Sequence, residues 1–556
     1  MQLLSVKRDF NVIVKKSIDM DGAGSRRSRG PVRRIVQGQD SMDSLNSKTN
    51  HGLTALAWFS GGIVMTVLFS AGQLPPLNAT ILLLTALSVI AIASLRITEL
   101  SLLSRLYVLL FVLPFSATLG YLFDRDYVWW PTPTNVLLCQ NHPLINEMLN
   151  MVIVGLCGMM VGIEFAAMYF CKPRPRTSAA SPKAFVVKPI LTMPVVWVML
   201  VVAFLLSWLH APEESIFVAA YASADAGDKR DVEAGLSASY LISYLILILI
   251  MVDSGRERPG SRRQVLKLVS SLAVISYIVV VLQLLRGDRE CAGLVAALVM
   301  LYITSPASES ARALMHRGYH QFKRGMKVFT PLAICVAAFL ALGSLRHTAS
   351  QSTEGTSIWK TVVQGATENT WTAVALNNLG LSADYNYGSI EYLYGRTYLD
   401  YILSLPPGAV AMALGYERPL EGDANPALWY FGLIAAGGMH PVVVPFRNFG
   451  IWGVVPVMML CGIFICYCET RNEAGDLKGR LLYGCVATSS MLWFWYGDMN
   501  MIRTIMAWGI LYGIHLFAAN IPQRTYRFNP PASQARPWNG GRNQAACYSF
   551  GAMQKH

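Results

Sequence analysis

Apolar residues are gathered into about twelve long stretches, separated by short polar segments. Leucine, isoleucine and valine dominate them, without the period-two alternation of a barrel strand. Because about 20 consecutive apolar residues span a bilayer as a helix, the pattern predicts an all-α polytopic membrane protein with about 12 transmembrane helices. The predicted spans are Leu53–Ser70, Leu77–Leu95, Leu102–Phe123, Met148–Phe170, Ile190–Trp208, Leu236–Val252, Val265–Leu285, Cys291–Ile303, Phe329–Leu345, Phe449–Tyr467, Leu481–Tyr496 and Ile505–Ala519.

Basic residues are concentrated in the two tails and in every second segment between spans. Lysine and arginine are enriched on the cytoplasmic side of membrane proteins, so both termini are predicted to be cytoplasmic. The predicted organisation is a basic, disordered tail (1–52), helices 1 to 9 (53–345), a large periplasmic loop with short interfacial helices (346–445), helices 10 to 12 (446–520) and a second disordered cytoplasmic tail (521–556).

The composition excludes several classes of protein. Residues of the hydrophobic types make up 53% of the 556 residues, charged residues only 14%, and the mean hydropathy is +0.40. Since a soluble domain carries about 25% charged residues, a soluble enzyme, a disordered chain and a nucleic-acid-binding protein are ruled out. The net charge of +13 follows from the basic segments beside the spans.

Motifs for common cofactors are missing from the sequence. There is no Walker motif, dinucleotide-binding glycine pattern or nucleophile elbow, which argues against an ATP-driven pump. The ten cysteines lack a metal-type spacing and are interpreted as packing or lipid-facing residues. Asp124-Arg125-Asp126 is a weak metal candidate. The prediction is therefore no metal and no cofactor.

The predicted periplasmic loop is rich in aromatic residues, such as Trp359, Tyr392 and Tyr398. Such rings suit the membrane interface, and they can also stack on sugars, so both interpretations stay open. Two apolar segments in the loop, Tyr398–Leu414 and Ala427–Met439, are too short to span and are predicted to be interfacial or re-entrant helices.

Arginines on the same outer side are candidate anion ligands. Residues 286–290 (RGDRE) form the whole turn between spans seven and eight. Its two arginines, Arg286 and Arg289, either bind phosphate or pair with Asp288 and Glu290. A guanidinium group offers two parallel hydrogen bonds to phosphate and stays charged. Four further outer arginines either complete one anionic-ligand pocket or have separate structural roles: Arg396, Arg418, Arg447 and Arg503.

A general base would be needed if a sugar hydroxyl attacks, because a hydroxyl is a poor nucleophile. His440 follows Gly437-Gly438-Met439 and precedes a span, a setting that suits either a base or a hydrogen-bonded loop histidine. The other acids and bases on the outer side are Asp384, Glu391, Asp400, Glu417, Glu421, Asp423, Asp498 and His347.

Three local patterns resemble the Wzy-type polymerases of bacterial O-antigen and exopolysaccharide synthesis, also called oligosaccharide repeat-unit polymerases. The first is the arginine–glycine turn at residues 284–289 (LLRGDR), and the second is 391–398 (EYLYGRTY) followed by Leu405-Pro406-Pro407. The third is 437–440 (GGMH) with 447–453 (RNFGIWG). Many members have an acidic residue just before N-F-G, where this chain has Val444-Pro445. The identity of a carboxylate base therefore stays open.

The resemblance implies a glycosyltransferase of the bacterial inner membrane that joins repeat units carried on undecaprenyl diphosphate at the periplasmic face. Its partners would be these lipid-linked oligosaccharides, the bilayer, a chain-length regulator and a flippase. We expect Arg286 and Arg289, with Arg503, to bind the diphosphate, and Arg289 to act in catalysis. Arg396, Arg418 and Arg447 would orient the glycan, and His440 or Glu391 would be the base.

Two other functions fit the same sequence less well. A ligase would move finished glycan to another acceptor and would use similar chemistry. A twelve-span transporter or flippase often has two related halves and a polar site near the midplane. The chain has no half-to-half similarity, and Glu164 is the main charge inside a predicted span.

Overall fold

The structure, a computed structural model, describes residues 50–62, 64, 76–97, 102–112, 142–170, 189–209, 229–257, 261–283, 291–304, 392–403, 440–496 and 499–520. Regular structure in these ranges is helical throughout. The helices are α1 (50–62), α2 (Pro76–Ile97), α3 (Leu102–Val112), α4 (His142–Phe170), α5 (Met193–Leu209), α6 (Lys229–Ser254), α7 (Arg262–Ser276), α8 (Cys291–Ile303), α9 (Arg396–Leu403), α10 (Val443–Phe449), α11 (Ile451–Glu473), α12 (Leu477–Tyr496) and α13 (Met499–Asn520). A π-helical segment, Tyr277–Gln283, continues α7.

Three helical segments of the described ranges are long and apolar enough to cross a membrane: Asn146–Phe170, Arg262–Val280 and Ile451–Glu473. Shorter apolar helices accompany them. Large apolar side chains such as Val198, Leu460 and Phe517 point away from the other helices and are exposed by 62%, 63% and 73%. An apolar outer surface of this kind suits lipid rather than water. The expectation of an all-helical, membrane-associated chain is thus confirmed, while the predicted ninth span, Phe329–Leu345, lies outside the described residues.

Helices α4 and α11 pack backbone to backbone. A Cβ atom added at Gly158 would lie 2.9 Å from the carbonyl oxygen of Val455, and one at Gly162 would lie 2.0 Å from that of Met459. These two glycines form a G-x-x-x-G pattern, which lets membrane helices approach closely. Since positions further along α4 meet positions further along α11, the two helices run parallel.

Contacts at two points along each pair show the relative directions of α8 and α12 and of α5 and α6. Along α8 and α12, Gly293 meets Thr488 and Leu301 meets Gly484, so the pair is antiparallel. Ser207 meets Ser243 between α5 and α6, and Leu191 just before α5 donates from its backbone N–H to Asp253 at the far end of α6. That pair is antiparallel as well.

Buried charged side chains pair where helix ends meet. The carboxylate of Glu469, near the end of α11, accepts hydrogen bonds from the backbone N–H and the hydroxyl of Ser104, over 2.6 and 2.7 Å. Ser104 lies in the first turn of α3, so the carboxylate caps that helix and compensates its dipole. Oε2 of Glu164 lies 2.5 Å from Nδ1 of His51. Glu164, the main charge inside a predicted span, therefore has a partner.

The end of α6 and the start of α7 are joined by a buried ion-pair cluster. The ammonium group of Lys267 contacts the carboxylate of Asp253 over 2.7 Å and also pairs with Glu257. Asp253 also accepts from the backbone N–H groups of Ile190 and Leu191, over 2.8 and 3.3 Å. These three charged side chains therefore lock α6, α7 and the segment before α5 together.

Candidate functional site

Two distant segments of the chain dock on each other at the start of α11. One is residues 392–403, which includes α9, and the other is residues 440–450, which includes α10. The backbone N–H groups of Leu393 and Tyr394 donate to the carbonyl oxygens of Arg447 and Asn448, over 3.2 and 3.0 Å. The structure thus brings together parts of the second and third patterns that carried the resemblance.

The side chain of Asn448 is the centre of this contact and is completely buried. Its Oδ1 accepts hydrogen bonds from the backbone N–H groups of Gly395 and Thr397, over 2.9 and 3.4 Å. Its Nδ2 donates to the carbonyl oxygen of Val444 over 2.8 Å. Because the first N–H groups of a helix lack partners within it, Asn448 acts as an N-terminal cap for α9 supplied by another segment.

The turn before α9 has an unusual backbone. Tyr394 and Gly395 have φ angles of 47° and 90°, a left-handed region that glycine reaches easily and tyrosine rarely does. Gly450 has a φ of 67°, and a Cβ there would lie 2.6 Å from the hydroxyl oxygen of Tyr392. The ring of Tyr398 stacks on that of Phe449, with centroids 6.3 Å apart. Residues 392–395 (YLYG) and 448–450 (NFG) are therefore required for packing. We call this contact between residues 392–403 and 440–450 the joint.

Three of the predicted arginine ligands lie in or beside the joint. Arg447 is in α10 and is 7% exposed, while Arg396 begins α9 and is exposed. Arg503 is exposed on α13, a helix that contacts α9. The other predicted ligands, Arg286, Arg289 and Arg418, lie outside the described residues. The structure therefore describes three of the six predicted arginine ligands.

His440 is completely buried and its imidazole nitrogens both have backbone partners. Its Nε2 donates to the carbonyl oxygen of Phe111 over 2.9 Å, and its Nδ1 accepts from the backbone N–H of Val442 over 3.4 Å. Burial lowers the pKa of His440 to about 3, against the opposing effect of the Phe111 hydrogen bond. A neutral imidazole held in this way suits a residue that positions the 440–450 segment.

Asp400 is a candidate that the sequence placed only in a long list of acids. It lies on α9 three residues after Thr397 and is 7% exposed. Its Oδ2 is 4.0 Å from Nε of Arg396 and has no hydrogen-bond partner among the residues that the structure describes. A buried, incompletely satisfied carboxylate is a common feature of functional sites. The other carboxylate candidate, Glu391, lies outside the described residues.

The joint contains no group of side chains suited to a metal. Within the described ranges, no three histidine, cysteine, aspartate or glutamate side chains come together as a possible metal site. Comparisons of the chain with protein-family models, curated proteins and solved structures find no match.

Proposed function

We propose that the chain is a polymerase of the bacterial inner membrane that joins oligosaccharide repeat units carried on undecaprenyl diphosphate at the periplasmic face. The observation that carries the proposal is the joint held by Asn448, since it unites two segments that resemble this family and places Arg396 and Arg447 beside each other's helices. The products would be O-antigen, capsule or exopolysaccharide chains.

The relative directions of the packed helices agree with the proposed order of about twelve spans, and the basic segments assign the termini to the cytoplasm. In that arrangement even-numbered spans run inward and odd-numbered spans run outward. Helices α4 and α11 correspond to spans four and ten and should be parallel, as their contacts require. Helices α8 and α12 correspond to spans eight and eleven and should be antiparallel, which their contacts also require. The joint then belongs to the periplasmic end. The Lys267 cluster and Glu469 belong to the cytoplasmic end.

The proposed reaction needs charge stabilisation and an acceptor base, and no external energy source. The bond from the sugar's anomeric carbon to the diphosphate oxygen breaks, and that oxygen leaves with the electron pair. The hydroxyl oxygen of the acceptor sugar bonds to the same carbon, and its proton passes to a carboxylate. Fixed guanidinium groups stabilise the leaving diphosphate, and holding two lipid-linked sugars together adds a proximity effect.

The roles proposed for the arginines come from the resemblance, and those of Asp400 and His440 come from their surroundings in the described residues. Arg286, Arg289 and Arg503 bind the diphosphate, and Arg396, Arg418 and Arg447 orient the glycan or share its charge. The buried carboxylate of Asp400 is the base that the described geometry favours, with Glu391 as the alternative. His440 holds the 440–450 segment against Phe111, because its bonded nitrogens suit a positioning residue better than a base. A flippase would supply the repeat units, and a chain-length regulator would be a partner.

The test is the glycan produced by cells that lack the gene and receive it back in variant form. With the polymerase absent, single repeat units should accumulate, and the wild-type gene should restore the long polymer. Cells that receive the Asp400→Asn or Arg447→Gln gene should continue to accumulate single units. The Arg471→Gln gene should restore the polymer, because Arg471 is exposed at the other end of α11. Polymer that stays on the carrier lipid after deletion would indicate a ligase instead, and loss of periplasmic repeat units would indicate a flippase.

A further inference from the structure

Arg480 is a buried cation without adequate hydrogen bonding. It lies in the first turn of α12 and is 3% exposed. Its Nη2 donates to the carbonyl oxygen of Leu301 over a long distance of 3.5 Å, and its Nε has no partner in the described part of the chain. A buried guanidinium with an unpaired N–H is costly, and the described residues offer the Nε of Arg480 no acceptor.

A second arginine faces the same place. Arg256 lies just after α6 and directly follows Gly255, which packs against the Arg480 guanidinium. Burial lowers the pKa of Arg480, and the charge of Arg256 lowers it further. Gly255 leaves room for the Arg480 guanidinium, since a Cβ at that position would lie 3.4 Å from its Nη2. His515 on α13 is within electrostatic reach of Arg256, and its buried Nδ1 has no hydrogen-bond partner among the described residues.

The charges around the two arginines do not balance. Asp253 and Glu257 share their negative charge with Lys267, which contacts both carboxylates. With Arg256 and Arg480 added, this end of the bundle holds more positive than negative charge within the described residues. Arg480 is buried and Arg256 is partly exposed, so an anion bound between them would be reachable from the aqueous side. A bound anion stabilises such an excess of positive charge, and guanidinium groups match the oxygens of phosphate particularly well.

We propose that Arg480 and Arg256 form a phosphate-binding site at the end of the bundle opposite to the Asn448 joint. The ligand is a phosphate group, either in the head group of an anionic phospholipid or as free inorganic phosphate. Arg480 supplies the buried donors, and Arg256 supplies the second positive charge. This site is independent of the proposed polymerase reaction, because it lies at the other end of α12 and α6 from the glycan-binding side.

The experiment measures the thermal unfolding midpoint of the full purified chain in nanodiscs. Discs of zwitterionic phosphatidylcholine in a buffer without inorganic phosphate give the baseline. Discs of phosphatidylglycerol test the anionic head group. Phosphatidylcholine discs with added inorganic phosphate test the free anion. We expect one of the two phosphate sources to raise the midpoint of the wild type. Native mass spectrometry should then show the corresponding lipid or anion retained on the protein.

The variants assign the effect to the site. Arg480→Gln should lose the rise completely, and Arg480→Lys, which keeps the charge but not the planar fork, should lose most of it. Arg263→Gln is the matched control, since Arg263 is exposed at the start of α7 and its replacement removes the same charge. The proposal is wrong if neither source raises the wild-type midpoint, or if Arg480→Gln responds as strongly as Arg263→Gln. If Arg480→Gln fails to fold, Arg480→Lys is compared with Arg263→Gln instead, and equal rises in these two variants contradict the proposal.

Discussion

The backbone N–H of Gly395 donates to Oδ1 of Asn448 over 2.9 Å, although the two residues are 53 positions apart in the sequence. The same oxygen accepts from Thr397, so one amide side chain fixes the start of α9. The contact is shielded from bulk solvent, because Asn448 is completely buried. The position of Arg396 at the start of α9 therefore depends on this buried amide, together with the backbone hydrogen bonds that Leu393 and Tyr394 donate.

Asn448→Ala should undock α9 and abolish polymer formation. The substitution leaves two backbone N–H groups and one carbonyl without their partner, and each unsatisfied buried group costs about 1–3 kcal/mol. Limited proteolysis should show faster cleavage within residues 392–403, and the thermal midpoint should fall. Asn448→Asp is the sharper comparison, since its carboxylate can still accept from Gly395 and Thr397 but cannot donate to Val444. If the Ala and Asp variants behave alike in both assays, the cap does not hold the joint.

Gly162→Ala should destabilise the packed pair of α4 and α11. The added Cβ would meet the carbonyl oxygen of Met459, so the helices must separate, and overpacking of this kind costs about 1–3 kcal/mol. Gly513→Ala on α13 is the control, because no atom lies within 4 Å of its Cβ position. Alanine there should be neutral or stabilising by up to about 1 kcal/mol, as expected for helix propensity. Equal unfolding midpoints for the two variants would contradict the close packing.

The helices were predictable from the sequence because their apolar length is a local property. α4 and α11 lie close to the predicted spans, and the glycines that join them follow a known spacing. The role of Asn448 was not predictable, since its partners lie far away in the sequence. Asp400 was equally hidden among many acids, because its burial depends on how α9 docks.

The buried cluster around Lys267 was missed for a related reason. Its basic residue, Lys267, was interpreted only as a marker of the cytoplasmic side. A marker of this kind needs no particular partner. Pairing with Asp253 depends on the packing of α6 against α7, and a span prediction does not specify that packing. The sequence predicts which charges lie at the ends of spans but leaves their contacts open.

Lys267→Met should be strongly destabilising. It leaves the buried carboxylates of Asp253 and Glu257 without their cation, and breaking a buried ion pair in this way costs about 3–5 kcal/mol. The triple variant Lys267→Met, Asp253→Asn and Glu257→Gln should recover much of the loss, since no buried charge then lacks a partner. Chemical unfolding in detergent measures both. A triple variant no more stable than the single one would show that the charges are not the cause.

The stability of the folded chain should fall below neutral pH, in part because of His440. Its folded-state pKa of about 3 lies below the value of about 6.5 for a free imidazole, so the unfolded chain binds more protons between these values. Stability from this group is present above pH about 6.5 and is lost as the pH falls, by about 2 kcal/mol between pH 7 and pH 5. His440→Gln, which keeps a donor for Phe111, should reduce that slope. Identical slopes for both proteins would remove His440 as the cause.

The most direct test of the central claim is extension of undecaprenyl-diphosphate-linked repeat units by the purified chain in a membrane mimic without ATP. Electrophoresis of the product should show a ladder of repeat lengths with the wild type and with Arg471→Gln. Arg447→Gln and Asp400→Asn should leave the single unit unchanged while the protein stays folded. No ladder from folded wild-type protein, or an undiminished ladder from both joint variants, would contradict a polymerase centred on the Asn448 joint.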